Sequence, residues 1–167
     1  IVGMDVIWTG EFANAGWVDE WTGAEKKQVT EKVFPNVIET ASFEGKLYAA
    51  PFNTNTQLLW YRKDLVKEPP KTWDEMIEMA EGLKEAGTIQ VQANRYEGFM
   101  VWANALIESA GTEILSGPEE VDLEQEPTEK ALEVMGRLAN SSAAPASLST
   151  SDEDSARLGF EAGESAF

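Results

Sequence analysis

Three short stretches of the 167-residue sequence set aromatic rings beside carboxylates and amides. The first holds Asp5, Trp8, Glu11, Phe12 and Trp17. The second is Asn53-Thr54-Asn55-Thr56, with Trp60 and Tyr61 just beyond. The third is Asn94-Arg95-Tyr96-Glu97-Gly98. Such groupings suit a neutral sugar, whose apolar C–H faces lie on aromatic rings. Its rim of hydroxyls can be bridged by the paired groups of Asp, Glu and Asn. One charge-assisted hydrogen bond in a closed site contributes about 1.5–3 kcal/mol. About four or five of them, less ordering costs, reach micromolar affinity, about −8 kcal/mol. Each residue also fits a plain structural role. Asp5 suits a turn before a strand, Asn53 and Asn55 suit turn caps, and Glu97 suits a helix start through the helix dipole alone. Trp60, Trp73 and Trp102 sit in apolar periodic runs and read as core.

Composition removes other chemistries. The chain has no Cys and no His, so disulfides, thiolate zinc sites, Ser–His or Cys–His nucleophiles and imidazole acid–base catalysis are excluded. Any proton transfer falls to carboxylates, Lys or Tyr. Asp152-Glu153-Asp154 lacks the alternation and Gly of a calcium loop and reads as a solvated helix start favoured by the dipole. Neither a Gly-rich phosphate loop nor a Gly-x-Ser-x-Gly elbow occurs. No metal or cofactor is therefore expected. A net charge of −17 disfavours nucleic acid and anionic lipid. Hydrophobic residues form 43%, enough for a packed core, yet no apolar run is long enough to span a bilayer.

The elements that must position these residues alternate between strands and helices. Asp5 to Trp8 reads as a buried strand, Glu25 to Val33 as a helix, and Pro35 as the opening of another. Lys46 to Phe52 and Leu58 to Tyr61 read as strands. The polar insert between them, just after Pro51, predicts a crossing between two structural units near Phe52–Thr56. Thr72 followed by Glu75 has capping-box spacing, and Trp73, Met76, Ile77, Ala80 and Leu83 recur at helical spacing, with Gly87 as the stop. Trp73 is thereby assigned to the core. Ile89 to Ala93 reads as a strand, Tyr96 to Ala110 as a helix, Gly117 to Pro127 as an acidic loop, Thr128 to Asn140 as a helix, Ser141 to Ser151 as a linker, and Ser151 to Ala162 as a last helix. This order argues an α/β architecture with a mixed sheet flanked by helices. Ile1 to Trp8 reads as the inside of a sheet and Glu164 to Phe167 as the approach to another strand, so a fragment of a longer protein is expected.

Five stretches together carry a family likeness. They are Asp5-Val-Ile-Trp-Thr-Gly-Glu-Phe-Ala-Asn-Ala-Gly-Trp17, Phe43-Glu-Gly-Lys-Leu-Tyr-Ala-Ala-Pro51, Leu58-Leu-Trp-Tyr-Arg-Lys-Asp64, Pro70-Lys-Thr-Trp-Asp-Glu75 and Tyr96-Glu-Gly98. In this order the chain resembles the extracellular solute-binding family 1 of ABC importers, closest to its maltose- and trehalose-binding branch. The resemblance implies a periplasmic-binding-protein-like two-lobe fold of type II, with sugar held between lobes that close on it. Residues 1–54 would then be an incomplete lobe one and residues 55–167 most of lobe two. It implies that Asp5 is a lobe-one carboxylate binding sugar hydroxyls, with Trp8 and Glu11 flanking it. Asn55 falls at a crossover position that is acidic in several relatives, so this chain offers a neutral amide there. Tyr96 and Glu97 fall in a lobe-two segment that contacts sugar.

The reading that results is a non-catalytic carbohydrate-binding component of an importer. It would capture a neutral di- or oligosaccharide, serve a membrane permease, act as a monomer, and sit outside the cell or in the periplasm, lipid-anchored to the outer face of the membrane. Its alternatives are a glycosidase using two carboxylates such as Glu11 and Glu97, which must lie about 5–10 Å apart, and a non-catalytic surface interaction domain.

Overall fold

The computed structural model describes residues 1–117 and 120–167. The chain forms two compact units, Ile1–Leu58 and Leu59–Phe167.

The first unit opens differently from the expected strand. Val6–Trp8 is a 3₁₀ turn that runs into helix α1, Thr9–Asn14, and the Trp8 N–H closes it on the Asp5 carbonyl at 3.0 Å. A four-residue apolar run has no period that separates strand from helix, and here the local turn bond decides. Helices α2, Gly23–Thr30, and α3, Pro35–Thr40, follow, the latter with its proline in the first turn, where no N–H is missed. A hairpin of β1, Ser42–Phe43, and β2, Lys46–Leu47, completes the unit. Its two-residue turn places Glu44 at φ 49° and Gly45 at φ 76°, the positive pair a tight hairpin demands and glycine tolerates. Leu47 is buried, and its carbonyl accepts the Trp21 N–H at 2.8 Å. Buried Thr9 donates its hydroxyl to the Thr40 carbonyl at 3.1 Å, tying α1 to the end of α3. The strand expected over Lys46 to Phe52 is thus only β2, and residues 51–62 take no regular structure. The expected strand at Leu58 to Tyr61 is therefore absent, and Trp60 is 67% exposed rather than in the core.

The second unit is helical around one apolar cluster. Helix α4, Trp73–Leu83, starts at Thr72, whose side chain accepts the Glu75 N–H at 3.1 Å. The Glu75 carboxylate reaches Lys71 N at 2.7 Å rather than Thr72 N, so only half of the predicted box forms. A 3₁₀ turn, Lys84–Ala86, leads to Gly87, where a β-carbon would overlap the Ala80 carbonyl. Helix α5, Glu97–Ala110, ends on Gly111 at φ 102°, the left-handed cap that favours glycine. A short antiparallel pair, β3, Leu115–Gly117, and β4, Glu120–Val121, follows where an acidic loop was predicted. The Pro118-Glu119 part of that prediction lies outside the described residues. Helix α6, Gln125–Ala139, begins three residues before the predicted Thr128, because Pro127 is tolerated in a first turn. Helix α7, Glu153–Glu161, closes the order.

Met76, Ile77 and Ala80 of α4, Trp102, Leu106 and Ile107 of α5, and Ala131 and Leu138 of α6 meet in the core with Ile89 and Phe167. Trp73 packs against this cluster, its ring 6.1 Å from that of Trp102, in keeping with its structural assignment. Arg137 of α6 pairs with Asp74 and, at 3.2 Å, with Glu78 of α4. The predicted strand at Ile89 to Ala93 takes no regular structure and joins no sheet. It is held by single bonds, Ile89 N–H to Ala143 O at 2.9 Å and Gln90 N–H to Phe167 O at 3.0 Å. In place of the expected mixed sheet, the described residues contain two two-stranded antiparallel sheets.

Two substitutions weigh these elements in the complete protein by denaturant unfolding. Thr72→Ala removes the cap of α4 and lowers stability by about 1 kcal/mol. Ile77→Ala opens a cavity in the core and lowers it by about 2–5 kcal/mol. A loss for Ile77→Ala no larger than that for Thr72→Ala would contradict the place of Ile77 in the core.

Candidate ligand-binding site

In the first unit the 3₁₀ turn and α1 arrange an aromatic row. Trp8 and Phe12, four residues apart, stack at 6.1 Å with planes 10° apart, and Trp17 meets Phe12 edge-on at 5.2 Å. Four residues is one helical turn, so the first two rings fall on one face. Trp17 stays within reach because α1 stops at Asn14, where the Ala15 and Gly16 N–H groups turn back to the Glu11 and Ala13 carbonyls. Gly10 lets α1 lie close to Phe43, since a β-carbon there would stand 3.3 Å from that ring. Trp8 and Trp17 are 42% and 67% exposed. Asp5 and Glu11, in the same turn and helix, are exposed. Asn55 is exposed in the irregular segment that ends the unit, and no side-chain partner fixes its amide among the described residues.

In the second unit two helix starts are joined. Tyr96 is the N-cap of α5, in extended backbone. The Asn94 N–H donates to the Ser151 carbonyl at 2.9 Å, which pins the approach to α5 against the approach to α7. The Tyr96 hydroxyl donates to the Glu153 carboxylate and accepts the Glu153 N–H at 3.2 Å. Desolvation first, then the bond to Glu153 and its charge, push the phenol well above its ordinary range, so it keeps its proton. Gly98 is buried, and a β-carbon there would strike the Tyr96 ring. Glu97, in the first turn of α5, is exposed. Asn94 holds the Arg95 N–H on its side-chain oxygen at 2.8 Å.

The six residues chosen from sequence thus fall in separate places. Asp5, Trp8 and Glu11 share the start of the first unit, Asn55 lies near its end, and Tyr96 and Glu97 share the start of α5. Phe12 and Trp17 belong with Trp8, and the four-residue spacing of Trp8 and Phe12 was the readable signal. Glu153 was missed as a partner of Tyr96, because 57 residues separate the two and its run reads as dipole chemistry. An apolar hollow of about 350 Å³, lined by Leu65, Val66, Met79 and Leu83 with Lys67 and Glu68, includes none of the six. Among the described residues no cluster of three or more potential ligands could hold a metal ion, and no helix is long and apolar enough to cross a membrane.

The profile described as bacterial extracellular solute-binding protein matches residues 1–167, and the chain belongs to that family. A probable ABC transporter-binding protein of Deinococcus radiodurans is 33% identical over 80% of this chain and 35% of its own length. A maltotriose-binding protein of Pyrococcus abyssi is 36% identical over 44% of this chain and 16% of its own. The solved structure of maltose-bound T. maritima MalE3 superposes with a TM-score of 0.79 at 27% identity, covering 96% of this chain and 43% of that one. The fold is accordingly the type II periplasmic-binding-protein fold, and the chain spans well under half the length of these relatives.

The start of α7 responds to acid in a defined direction. Ser155 donates to the Asp152 carboxylate from its backbone N–H at 2.8 Å and from its hydroxyl at 2.7 Å, which holds Asp152 below its ordinary value. A carboxylate so lowered contributes stability above its unfolded value and loses it as the pH falls through its folded one. The melting-temperature gap between wild type and Asp152→Ala should therefore narrow below about pH 4. A gap that stays constant down to pH 3 would contradict the capping role.

Proposed function

We propose that this chain belongs to a carbohydrate-binding component of an ABC importer that captures a neutral di- or oligosaccharide of the maltose or trehalose type. In this reading residues 1–54 contribute to lobe one and residues 55–167 form most of lobe two. The observation that carries it is the open aromatic row of the first unit, together with the half-buried Tyr96 ring at the start of α5 in the second. Trp8, Phe12 and Trp17 lie with Asp5 and Glu11, and Tyr96 lies with Glu97 and Asn94. Rings and carboxylates in this mixture fit the two surfaces of a pyranose, its apolar C–H faces and its rim of hydroxyls. The maltotriose-binding relative and the maltose-bound neighbour support the same ligand class.

The partner is the membrane permease of the importer, and the protein works as a monomer. It is held outside the cell or in the periplasm, lipid-anchored to the outer face of the membrane. It returns its sugar chemically intact. A thermal-shift screen of mono- and disaccharides on the complete protein tests the ligand class. A cognate sugar at a hundred times its Kd adds about 2.7 kcal/mol of stability. Chromatography of the recovered ligand separates binding from hydrolysis. Stabilisation by no sugar, or cleavage of one, would overturn the proposal.

Asn55 offers a sharper measurement. A primary amide satisfies two hydroxyls of a neutral ligand without placing a charge beside them. Asn55→Ala removes one or two hydrogen bonds, for a cost of about 1–3 kcal/mol, about a 5- to 150-fold loss of affinity. Stability changes by no more than about 0.5 kcal/mol, because the side chain is exposed. Calorimetric titration beside a melting curve reads both, and unchanged affinity removes Asn55 from the site.

A further inference from the structure

Tyr96 is tied down more completely than a surface aromatic needs to be. Its hydroxyl proton goes to the Glu153 carboxylate, and one of its lone pairs takes the Glu153 N–H. Below it, Gly98 leaves the space that a β-carbon would fill. Behind it, the bond from Asn94 N–H to Ser151 O fixes the distance between the two helix starts. Two hydrogen bonds on one phenol oxygen, with the helix starts pinned by a backbone bond, hold the hydroxyl end of the ring against the start of α7.

The Glu153 side chain is not required by α7 itself. Asp152 already caps the helix, and it forms a reciprocal box with Ser155. Asp154 sits beside Glu153 in the same first turn and serves the helix dipole equally well. What distinguishes Glu153 is that both its carboxylate and its N–H meet one phenol oxygen.

We infer that Glu153 is a positioning residue for the ligand site, holding Tyr96 so that the ring, and not the hydroxyl proton, is what a sugar meets. This rests on the carbohydrate-binding reading above. A phenol has one proton to donate, and Glu153 takes it. The ring and one remaining lone pair are left for the ligand. A tethered ring gives up less rotamer freedom on binding than a free one, and pre-organisation of this kind raises affinity without adding a contact. Tyr96 therefore contributes a stacking surface for the C–H face of a sugar ring, and Glu153 acts through it without touching the ligand.

The inference fixes the sign of a measurement. If the ligand wanted the hydroxyl proton, removing the Glu153 carboxylate would release it and tighten binding. If the tether matters, removing it weakens binding. The test is calorimetric titration of the complete protein with maltose and trehalose, each variant accompanied by a melting curve. Glu153→Ala and Tyr96→Phe should each lose about 5- to 30-fold in affinity, and the double variant should lose no more than either alone, because the two groups form one unit. Tyr96→Ala, which also removes the ring, should lose more. Glu153→Gln keeps an oxygen that accepts the phenol proton and should recover part of the loss.

Gly98→Ala moves the ring by a different route. A β-carbon there would overlap the Tyr96 hydroxyl and ring, so the ring must leave its place and give up its bonds to Glu153, while alanine suits a helix better than glycine. Its affinity should fall about as far as that of Glu153→Ala, and its melting temperature by no more than that variant's, because both lose the same tether. Wild-type protein that binds none of the sugars overturns the functional reading and this inference together. Wild-type protein that binds, with Glu153→Ala binding equally or tighter, overturns this inference alone. Additive losses in the double variant do the same.

Discussion

The segment Thr88–Gln90 is the member on which the second unit depends. Ile89 is buried and points among the side chains of α4, α5 and α6, so its backbone groups cannot turn to water. They must find partners inside the protein, and these come from distant parts of the chain. Ala143 takes the Ile89 N–H, Phe167 takes the Gln90 N–H, and the Thr88 carbonyl accepts the Ala166 N–H. Arg62 N–H then bonds to the Ala166 carbonyl, so four stretches of sequence are locked edge to edge. The helices pack on this assembly through their apolar stripes.

The same constraint places the second cluster of aromatic and acidic groups. The segment runs on to Asn94, whose N–H bonds to Ser151, and within two residues the chain enters α5 at Tyr96. This segment thus sets where α5 starts, and its contact with the Ser151 turn sets where α7 starts. Tyr96 and Glu153 meet because both helix starts are referred to one rigid element. In the first unit the reference is local instead, with a 3₁₀ turn and one helical repeat ordering three rings within ten residues of sequence.

What could be read from the sequence was whatever is encoded within a helical turn or two. Helices α4, α5 and α6 show regular apolar spacing, and Thr72 and Gly111 mark the start of α4 and the end of α5. Trp73 and Trp102 were placed correctly because each falls in register with neighbours three or four residues away. The strands were harder. Asp5 to Trp8, Leu58 to Tyr61 and Ile89 to Ala93 are short apolar runs whose state depends on partners far along the chain, and only the last contributes a residue, Ile89, to the core. Trp60 sits in such a run and faces solvent. The family likeness was legible in five motifs, since it needed order and spacing but no contacts. The link between Tyr96 and Glu153 was not, because nothing local to either residue names the other.

The aromatic row of the first unit has an optical consequence. Indole emission shifts with the polarity around the ring, and the six tryptophans of this chain occupy very different surroundings. Trp102 is buried against Trp73 and Phe99 and contributes a constant, blue background. Trp8 and Trp17, open to water on either side of Phe12, share the red edge of the spectrum with exposed Trp60. Any solute laid across that row displaces water from those two rings and leaves the background untouched. The protein thus carries its own reporter of occupancy, with no dye and no label.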